Sequence, residues 1–196
     1  MKVYFHTLGC RVNQYDTEAL RSAFSQMGFE PTPRPSDAQV TIVNTCSVTA
    51  ESDRKCRGAI RRLRRENPEA FLAVTGCYAS GTPEDLEAMP EVDLVTPSRG
   101  KDASEVALGI LESLGLQCPD ERGTAEGILP TLTEFAEHTR AFIKIEDGCN
   151  QMCTYCRIPF YRGRARSRPS AAVLEEIHNL ARRGYREVVL CGVQLG

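Results

Sequence analysis

The feature that most restricts the fold of this chain is the alternation of strand-like and helix-like patterns along residues 1–116. Short apolar or β-branched runs predict strands at Lys2–Leu8, Gln39–Asn44, Phe71–Thr75 and Val92–Val95. Apolar residues at helical spacing predict helices at Tyr15–Met27, Ser52–Glu66, Glu84–Met89 and Ala103–Leu114. Such alternation is typical of a parallel sheet joined by right-handed crossover helices. We therefore expect a small, open, flavodoxin-like α/β domain, with Pro31–Ser36 as a loop.

The remainder of the chain divides into a linker and the beginning of a second unit. Residues 117–139 contain Cys118-Pro119, two glycines and Pro130 and show little periodicity, which predicts a linker. Residues 140–196 then show a strand, an arginine-rich loop, a helix and a strand. The predicted strands are Ala141–Ile145 and Glu187–Cys191, and the predicted helix is Ala171–Arg183. This order is the start of a larger α/β unit, and we expect the chain to end before that unit is complete.

Composition places the chain among ordinary globular proteins, because 41% of its residues are hydrophobic and 26% are charged. No apolar run approaches the ~20 residues that span a bilayer, and the start MKVYFHTLG becomes polar too early for a signal peptide. We therefore expect a cytoplasmic protein without a membrane segment. In a reducing cytosol, its nine cysteines predict metal binding or redox chemistry rather than a disulfide framework.

Charge is unevenly distributed along the chain, although the net charge is only −2. Residues 84–137 hold 13 acidic and 3 basic residues, whereas basic residues concentrate at 54–65 and 157–168. For the basic helix at 54–65, a solvated face is the simpler interpretation and contact with RNA phosphates is the alternative. In the second cluster we expect contact with RNA or a cofactor, through Arg162, Arg164, Arg166 and Arg168.

Three cysteines stand where predicted strands end, and these are Cys10, Cys46 and Cys77. Parallel strands end at the same edge of a sheet, where ligand sites form, and neighbouring strands are ~4.8 Å apart. The three thiols can therefore meet within several ångströms and hold a cluster that keeps one iron free. The alternative is that they are ordinary buried cysteines, which are common in protein cores.

A second group of three cysteines, Cys149, Cys153 and Cys156, has the tight spacing C-x-x-x-C-x-x-C after a predicted strand. A structural zinc site takes four ligands, usually from paired C-x-x-C units, and a ferredoxin-type four-iron cluster also takes four cysteines. No fourth cysteine stands near these three in the sequence. The pattern therefore indicates a cluster with one iron open to a ligand that the protein does not supply.

This spacing resembles that of the radical S-adenosylmethionine (SAM) superfamily, in which the open iron binds the amino and carboxylate groups of SAM. The two cysteine groups in this order resemble the radical SAM methylthiotransferase family, over nearly the whole chain except the linker. The matching stretches are 7–18 (TLGCRVNQYDTE), 44–49 (NTCSVT), 75–79 (TGCYA), 144–149 (KIEDGC) and 162–168 (RGRARSR). The stretch after the first cysteine is most similar to the branch that acts on threonylcarbamoyl-modified adenosine beside the tRNA anticodon.

The resemblance implies two 4Fe-4S clusters, an auxiliary one on Cys10, Cys46 and Cys77 and a SAM-binding one on the second group. Reduction of the second cluster cleaves SAM to a radical that removes hydrogen from an adenine carbon, and the auxiliary cluster presents the sulfur. A second SAM supplies the methyl group. Tyr155, before the third cysteine, is expected beside the adenine of SAM. Residues 192–196 (GVQLG) occupy the place of a glycine-rich SAM contact, without the acidic residue that many members have there.

The implied architecture is a methylthiotransferase N-terminal domain at 1–116, a linker at 117–139, and the truncated start of a radical SAM partial TIM barrel at 140–196. Expected partners are the tRNA anticodon loop and an electron donor such as flavodoxin or ferredoxin. We expect a monomer, and we expect this chain alone to be inactive because most of the barrel is missing.

Other functions fit part of the pattern. Within the family, the substrate is alternatively isopentenyl-adenosine in tRNA or a ribosomal protein. From other classes, the alternatives are an electron carrier with two clusters and a zinc-binding scaffold. We expect Cys56, Cys118 and Cys191 to be structural or free thiols, although Cys191 ends a strand that could approach a cluster. Asn13 and Asn44 are expected to brace the first cysteine loop by hydrogen bonds.

Overall fold

The computed structural model of the chain describes residues 1–116 and 140–195. Its first part is built on a five-stranded parallel sheet with the strand order β2-β1-β3-β4-β5. The strands are β1 (Lys2–Thr7), β2 (Glu30–Pro31), β3 (Val40–Thr45), β4 (Phe71–Gly76) and β5 (Leu94–Val95). This is the order of flavodoxin-like folds, so the structure confirms the predicted fold class of this part.

Five helices cover both faces of this sheet. They are α1 (Arg11–Gln26), α2 (Ala50–Glu66), α3 (Cys77–Gly81), α4 (Pro83–Glu87) and α5 (Ala103–Ser113). Local sequence fixes several of their ends: the Thr49 side chain accepts a hydrogen bond from the Ser52 amide at the start of α2. At α5, Asp102 and Glu105 form a reciprocal capping box. Helix α5 begins at Ala103 as predicted, whereas α2 begins at Ala50, two residues before the predicted start at Ser52.

The sheet separates two apolar clusters because successive side chains of a strand point to opposite faces. Val40 and Ile42 of β3 pack with Phe24 of α1 and Ile110 of α5 on one face. Val43, on the other face, belongs to a cluster that contains side chains of α2, α3 and α4. The strands are thus buried on both sides, as expected for a parallel sheet between helices.

The second part is a parallel β-α-β unit with a small antiparallel pair beside it. Its elements are β6 (Ala141–Lys144), β7 (Glu146–Asp147), α6 (Ile158–Arg162), β8 (Arg166–Ser167), α7 (Ser170–Arg182) and β9 (Val188–Cys191). Strand β6 pairs with β9, and β7 pairs with β8. The predicted strand, helix and strand are all present. The predicted linker, with Cys118, lies outside the described residues.

Helix α1 packs against both parts of the chain. Its Phe24 faces the sheet, whereas Tyr15 and Ala19 join a cluster with Ile143 of β6 and Leu180 of α7. Burial on two sides explains why polar residues of this helix are also buried. The second part therefore packs against α1 through an apolar cluster to which both contribute side chains.

Three local predictions were wrong. The stretch Pro31–Ser36 is not only a loop, because β2 pairs with the edge of β1 and a short 3-10 helix follows at Pro35–Asp37. The arginine-rich loop contains α6 and β8. Helix α1 begins at Arg11, four residues before the predicted start, because buried polar residues interrupt the apolar pattern of its first turn.

No helix in the two described ranges combines the length and the apolar character needed to cross a membrane.

The junction between β4 and α3 requires glycine at position 76. Gly76 has φ 96° and ψ −160°, and a Cβ there would lie 2.4 Å from both Asn44 Oδ1 and the Thr45 carbonyl oxygen. Because this backbone region is essentially restricted to glycine and the neighbours are buried, we expect Gly76→Ala to lower the free energy of unfolding by about 3 kcal/mol. Urea denaturation of the 196-residue chain measures this change.

The matched control is Gly58→Ala in the exposed part of α2, where a Cβ would meet nothing within 4 Å. Alanine is the better helix former, so this substitution should stabilise the chain by up to about 1 kcal/mol. Equal effects of the two substitutions would contradict the described junction.

Candidate functional site

The first cysteine group lies at the carboxyl edge of three neighbouring parallel strands. Strand β3 stands between β1 and β4, and Thr45 is in register with Gly76. Cys46 and Cys77 directly follow this pair, and Cys10 follows the end of β1 after two further residues. Cysteines more than thirty residues apart in sequence are thus brought to one edge of the sheet. Cys10 is exposed, whereas Cys46 and Cys77 are buried.

Close packing and two asparagines shape the loop that carries Cys10. At Gly9, with φ 124°, a Cβ would lie 2.9 Å from Cys46 Cβ, so the Cys10 loop touches the Cys46 loop. The fully buried Asn13 accepts a hydrogen bond from Cys10 Sγ at 3.2 Å and donates to the Thr45 carbonyl at 2.9 Å. Asn44 Nδ2 donates to the Asn13 carbonyl at 2.9 Å. The predicted bracing by Asn13 and Asn44 is confirmed.

Burial favours the protonated form of two thiols near this edge, those of Cys56 and Cys77. Burial raises the pKa of Cys77 to about 11, and the positive charge of Arg162 acts in the opposite direction. Burial also raises the pKa of Cys56 to about 11, and its Sγ donates to the Cys46 carbonyl at 3.2 Å. Cys56 is therefore engaged as a packed hydrogen-bond donor. Binding of iron would have to displace the Cys77 proton, as metal binding to thiols does in general.

The second cysteine group occupies the loop between β7 and α6. The Cys149 amide donates to the Gly163 carbonyl at 3.1 Å, and the Cys156 amide donates to the Cys153 carbonyl at 2.9 Å. Cys153 is exposed, and the other two cysteines are partly buried. Tyr155 is 88% exposed, so its ring does not pack within the described residues. Backbone hydrogen bonds thus hold the loop, while the side chains of Cys153 and Tyr155 are exposed.

A carboxylate that the sequence analysis missed holds the end of the chain against this loop. Glu146 Oε2 accepts hydrogen bonds from the amides of Val193 at 2.7 Å and Gln194 at 2.9 Å. Gln194 Oε1 in turn lies 3.4 Å from Cys149 Sγ. Residues 192–195 are therefore placed beside the second cysteine group, and residue 196 lies outside the described residues. Glu146 could have been noticed because it is a charged residue directly after a predicted buried strand.

A buried ion network joins the two parts beside the first cysteine group. Arg162 donates to Asp147 Oδ1 at 3.0 Å and to Asp16 Oδ2 at 3.3 Å. Lys144 pairs with the same two carboxylates. Burial acts to lower the pKa of Lys144, but the two carboxylates outweigh it and raise that pKa. Two positive and two negative side chains thus neutralise each other where α1 meets the second part, an arrangement that the sequence analysis did not predict.

A second buried ion pair lies further along the same boundary. Arg168 Nη2 donates to Glu176 Oε2 at 2.6 Å, and its Nη1 donates to the Tyr15 hydroxyl at 2.9 Å. The side chains of Arg162 and Arg168 are each only 8% exposed. Both are engaged inside the protein, which disfavours direct contact with RNA, and the expected contact of these arginines with a cofactor stays a prediction. Arg164 and Arg166 are exposed.

Most basic residues of α2 also have partners within the protein. Arg54 pairs with Glu51 at 2.7 Å, and Arg62 pairs with Glu66 at 3.0 Å. Arg64 donates to the Glu91 carbonyl and so ties α2 to the segment before β5. Because these side chains already have partners, the contacts favour the interpretation of α2 as a solvated helix face. Exposed pairs of this kind contribute little stability.

A cavity of about 370 Å³ lies beside the ion network, between α1, the segment before α5 and residues 144–169. Its walls include Asp16, Lys144 and Arg162 and, from the strand ends, Asn44 and Thr75. In the described part of the chain, none of the six cysteines of the two groups lines this cavity. It therefore belongs to the boundary between the two parts.

The donor atoms of both groups suit iron–sulfur clusters. Thiolates are soft ligands that select zinc, copper(I) and iron–sulfur clusters. Within residues 1–116 and 140–195, no three Cys, His, Asp or Glu side chains stand close enough to hold a single metal ion. The cysteines of a cluster bind separate irons and stand farther apart than the ligands of one ion. The thiols at the sheet edge and in the loop thus have the ligand chemistry that iron–sulfur clusters use.

Comparison with known proteins gives the class of the chain. Residues 2–97 match the family described as Uncharacterized protein family UPF0004. Threonylcarbamoyladenosine tRNA methylthiotransferase MtaB of Bacillus subtilis is 39% identical over 99% of this chain. A tRNA-2-methylthio-N(6)-dimethylallyladenosine synthase of Anoxybacillus flavithermus is 31% identical over 97% of it. The chain belongs to the radical SAM methylthiotransferase family. It covers 44% and 38% of these two relatives and so spans less than half of their length.

A solved structure gives the same fold. The radical S-adenosylmethionine methyltransferase TsrM of Kitasatospora setae, with cobalamin and a [4Fe-4S] cluster bound, aligns with 98% of this chain at a TM-score of 0.59. The chain covers 49% of TsrM, and the two sequences are 18% identical, so the likeness concerns the fold alone. It agrees with the predicted α/β fold class.

The hydrogen bonds of Asn13 predict its contribution to stability. Asn13→Ala would leave the Thr45 carbonyl, Asn44 Oδ1 and Arg162 Nη2 without this buried partner. We expect the free energy of unfolding of the reduced, metal-free chain to fall by about 3 kcal/mol, as measured by urea denaturation. Gln26→Ala, at the exposed end of the same helix, is the control and should change it by less than about 0.5 kcal/mol. A loss of similar size in both variants would refute the bracing role of Asn13.

Proposed function

We propose that the protein to which this chain belongs is a radical SAM methylthiotransferase. It transfers a methylthio group to C2 of threonylcarbamoyl-modified adenosine next to the tRNA anticodon. The observation that carries this proposal is the presence of two separate three-cysteine groups, one at a sheet edge and one in a loop. The ion network joins the two parts of the chain that carry them. Membership of the methylthiotransferase family supports the same reaction.

Six cysteines would hold two 4Fe-4S clusters, with Cys10, Cys46 and Cys77 on the auxiliary cluster and Cys149, Cys153 and Cys156 on the other. When bound, these groups supply the one-electron cleavage of SAM and the sulfur for transfer. The chain's own residues would bind the clusters and SAM and orient them. The exposed ring of Tyr155 is available to stack on the adenine of SAM, and residues 192–195, held by Glu146, lie next to Cys149.

The proposed substrate rests on sequence similarity. The relative named for threonylcarbamoyladenosine is 39% identical to the chain, against 31% for the relative named for dimethylallyladenosine. The second candidate substrate is therefore isopentenyl-adenosine at the same tRNA position. An electron carrier with two clusters is the candidate from another class, but carriers usually bind all their irons through the protein, and each group here offers three thiols.

The proposed partners follow from this reaction. The tRNA anticodon loop would approach the exposed Arg164 and Arg166, whose guanidinium groups suit phosphate. A flavodoxin or ferredoxin would deliver the electron. We propose that the protein acts in the cytoplasm as a monomer.

Iron and sulfide analysis tests the two groups. After anaerobic reconstitution we expect about eight iron and eight sulfide atoms per chain, because each four-iron cluster contains four of each. Replacing Cys10, Cys46 and Cys77 together by alanine should halve both, and so should replacing Cys149, Cys153 and Cys156. The control Cys56→Ala/Cys191→Ala should keep all eight. Zinc without sulfide in the unsubstituted chain would contradict the proposal.

The substrate is tested by mass spectrometry of tRNA nucleosides from cells that lack the full gene. We expect the methylthio form of threonylcarbamoyladenosine to disappear and that of isopentenyl-adenosine to remain. The full gene should restore the lost nucleoside, and the 196-residue chain alone should not, because it spans less than half of the length of its relatives. Loss of the isopentenyl-adenosine derivative instead would establish the second candidate substrate.

A further inference from the structure

Four exposed basic side chains, two from each part of the chain, meet beside the start of α5. A Cβ at Gly163 would lie 3.9 Å from Arg99 Cγ and Nε, so Arg99 lies against the second part. In the opposite direction, Arg166 Nη1 donates a hydrogen bond to the Gly100 carbonyl at 3.2 Å. The residues at these two contacts form a surface that we call the basic surface, and they are Arg99, Lys101, Arg164 and Arg166.

The backbone of the basic surface is tied to both cysteine groups. Ser80 Oγ accepts hydrogen bonds from the amides of Ser98 at 3.0 Å and Arg99 at 3.2 Å. Ser80 belongs to α3, the helix that begins with the third cysteine of the first group. On the other side, the Gly163 carbonyl accepts the hydrogen bond of the Cys149 amide. None of these contacts uses a thiol proton, so iron on the cysteines would leave them in place.

Positive charge predominates on the basic surface. Among residues 1–116 and 140–195, no acidic side chain pairs with Arg99, Lys101 or Arg164. The fourth side chain donates to a carbonyl group, and the carboxylates that follow in the chain accept backbone amides in the capping box of α5. Arg99 and Lys101 are two of the three basic residues in the acidic stretch 84–137, so the charge pattern of the sequence did not reveal this surface.

We propose that the basic surface binds backbone phosphates of the RNA substrate, so that both parts of the chain hold the tRNA. This inference rests on the proposed function, because it takes tRNA as the substrate. Guanidinium groups bind phosphate oxygens through paired hydrogen bonds, and an ammonium group adds a point charge. Phosphate contacts position a nucleic acid without reading its sequence. A surface beside both cysteine groups can thus hold one nucleotide within reach of both.

The test uses the full-length protein and a synthetic RNA with the sequence of the tRNA anticodon stem and loop. The dissociation constant Kd is measured by fluorescence anisotropy over a series of salt concentrations. Arg99→Gln/Lys101→Gln removes the two charges of the first part, and Arg164→Gln removes one charge of the second. The matched control is Lys2→Gln/Arg65→Gln, which removes one exposed lysine and one exposed arginine at the opposite edge of the sheet.

We expect Arg99→Gln/Lys101→Gln to weaken RNA binding by roughly tenfold at ~0.1 M salt, because each lost phosphate contact releases fewer counterions. The slope of log Kd against log salt should fall by about 1.4 in this variant and by about 0.7 in Arg164→Gln, since one contact with single-stranded RNA contributes ~0.7. The control should bind as the unsubstituted protein does.

Effects of Arg99→Gln/Lys101→Gln no larger than those of the control would overturn the role of the basic surface and leave the nucleoside test of the proposed function unaffected. Unchanged RNA binding together with slower reduction of the protein by flavodoxin would assign the surface to the electron donor instead. Failure of the unsubstituted protein to bind the RNA would count against the proposed substrate, and the role of this surface would fall with it.

Discussion

Four charged side chains meet where helix α1 contacts the second part of the chain: Arg162 is buried, and Asp16, Lys144 and Asp147 are partly buried. Each would be costly to bury alone, and removal of one partner from such a network typically costs about 3–5 kcal/mol. The network is neutral only when α1 and the second part are docked. Its charges therefore specify one relative position of the two parts, while the apolar cluster around Tyr15 and Ile143 supplies contact area.

This docking determines what surrounds the first cysteine group. The sheet alone brings Cys10, Cys46 and Cys77 to one edge, but the Arg162 guanidinium that donates to Asn13, the hydrogen-bond partner of Cys10, comes from the second part. The loop that carries Cys149 directly precedes α6, the helix that ends with Arg162. Packing, charge and the proposed chemistry are thus connected through a few residues on either side of one boundary.

Much of the first part was predictable because its signals are local. Periodic apolar runs gave the strands and helices, and the rule that parallel strands end at one edge gave the position of the cysteines. The start of α1 was missed because Asn13 and Thr17 are buried polar residues, whose partners are distant in sequence. The same reason explains why the partners of Arg162 and Arg168 were not predicted: a sequence shows an arginine-rich run, but only the fold shows the carboxylates that neutralise it.

The central claim is that the chain holds two iron–sulfur clusters, each on three cysteines. Crystals of the anaerobically reconstituted chain, measured with X-rays tuned to the iron absorption edge, test it most directly. The account predicts two iron-rich peaks in the anomalous map, one within bonding distance of Cys10, Cys46 and Cys77 and one at Cys149, Cys153 and Cys156. A map in which either group lacks iron, or in which Cys56 or Cys191 replaces one of the six ligands, would contradict it.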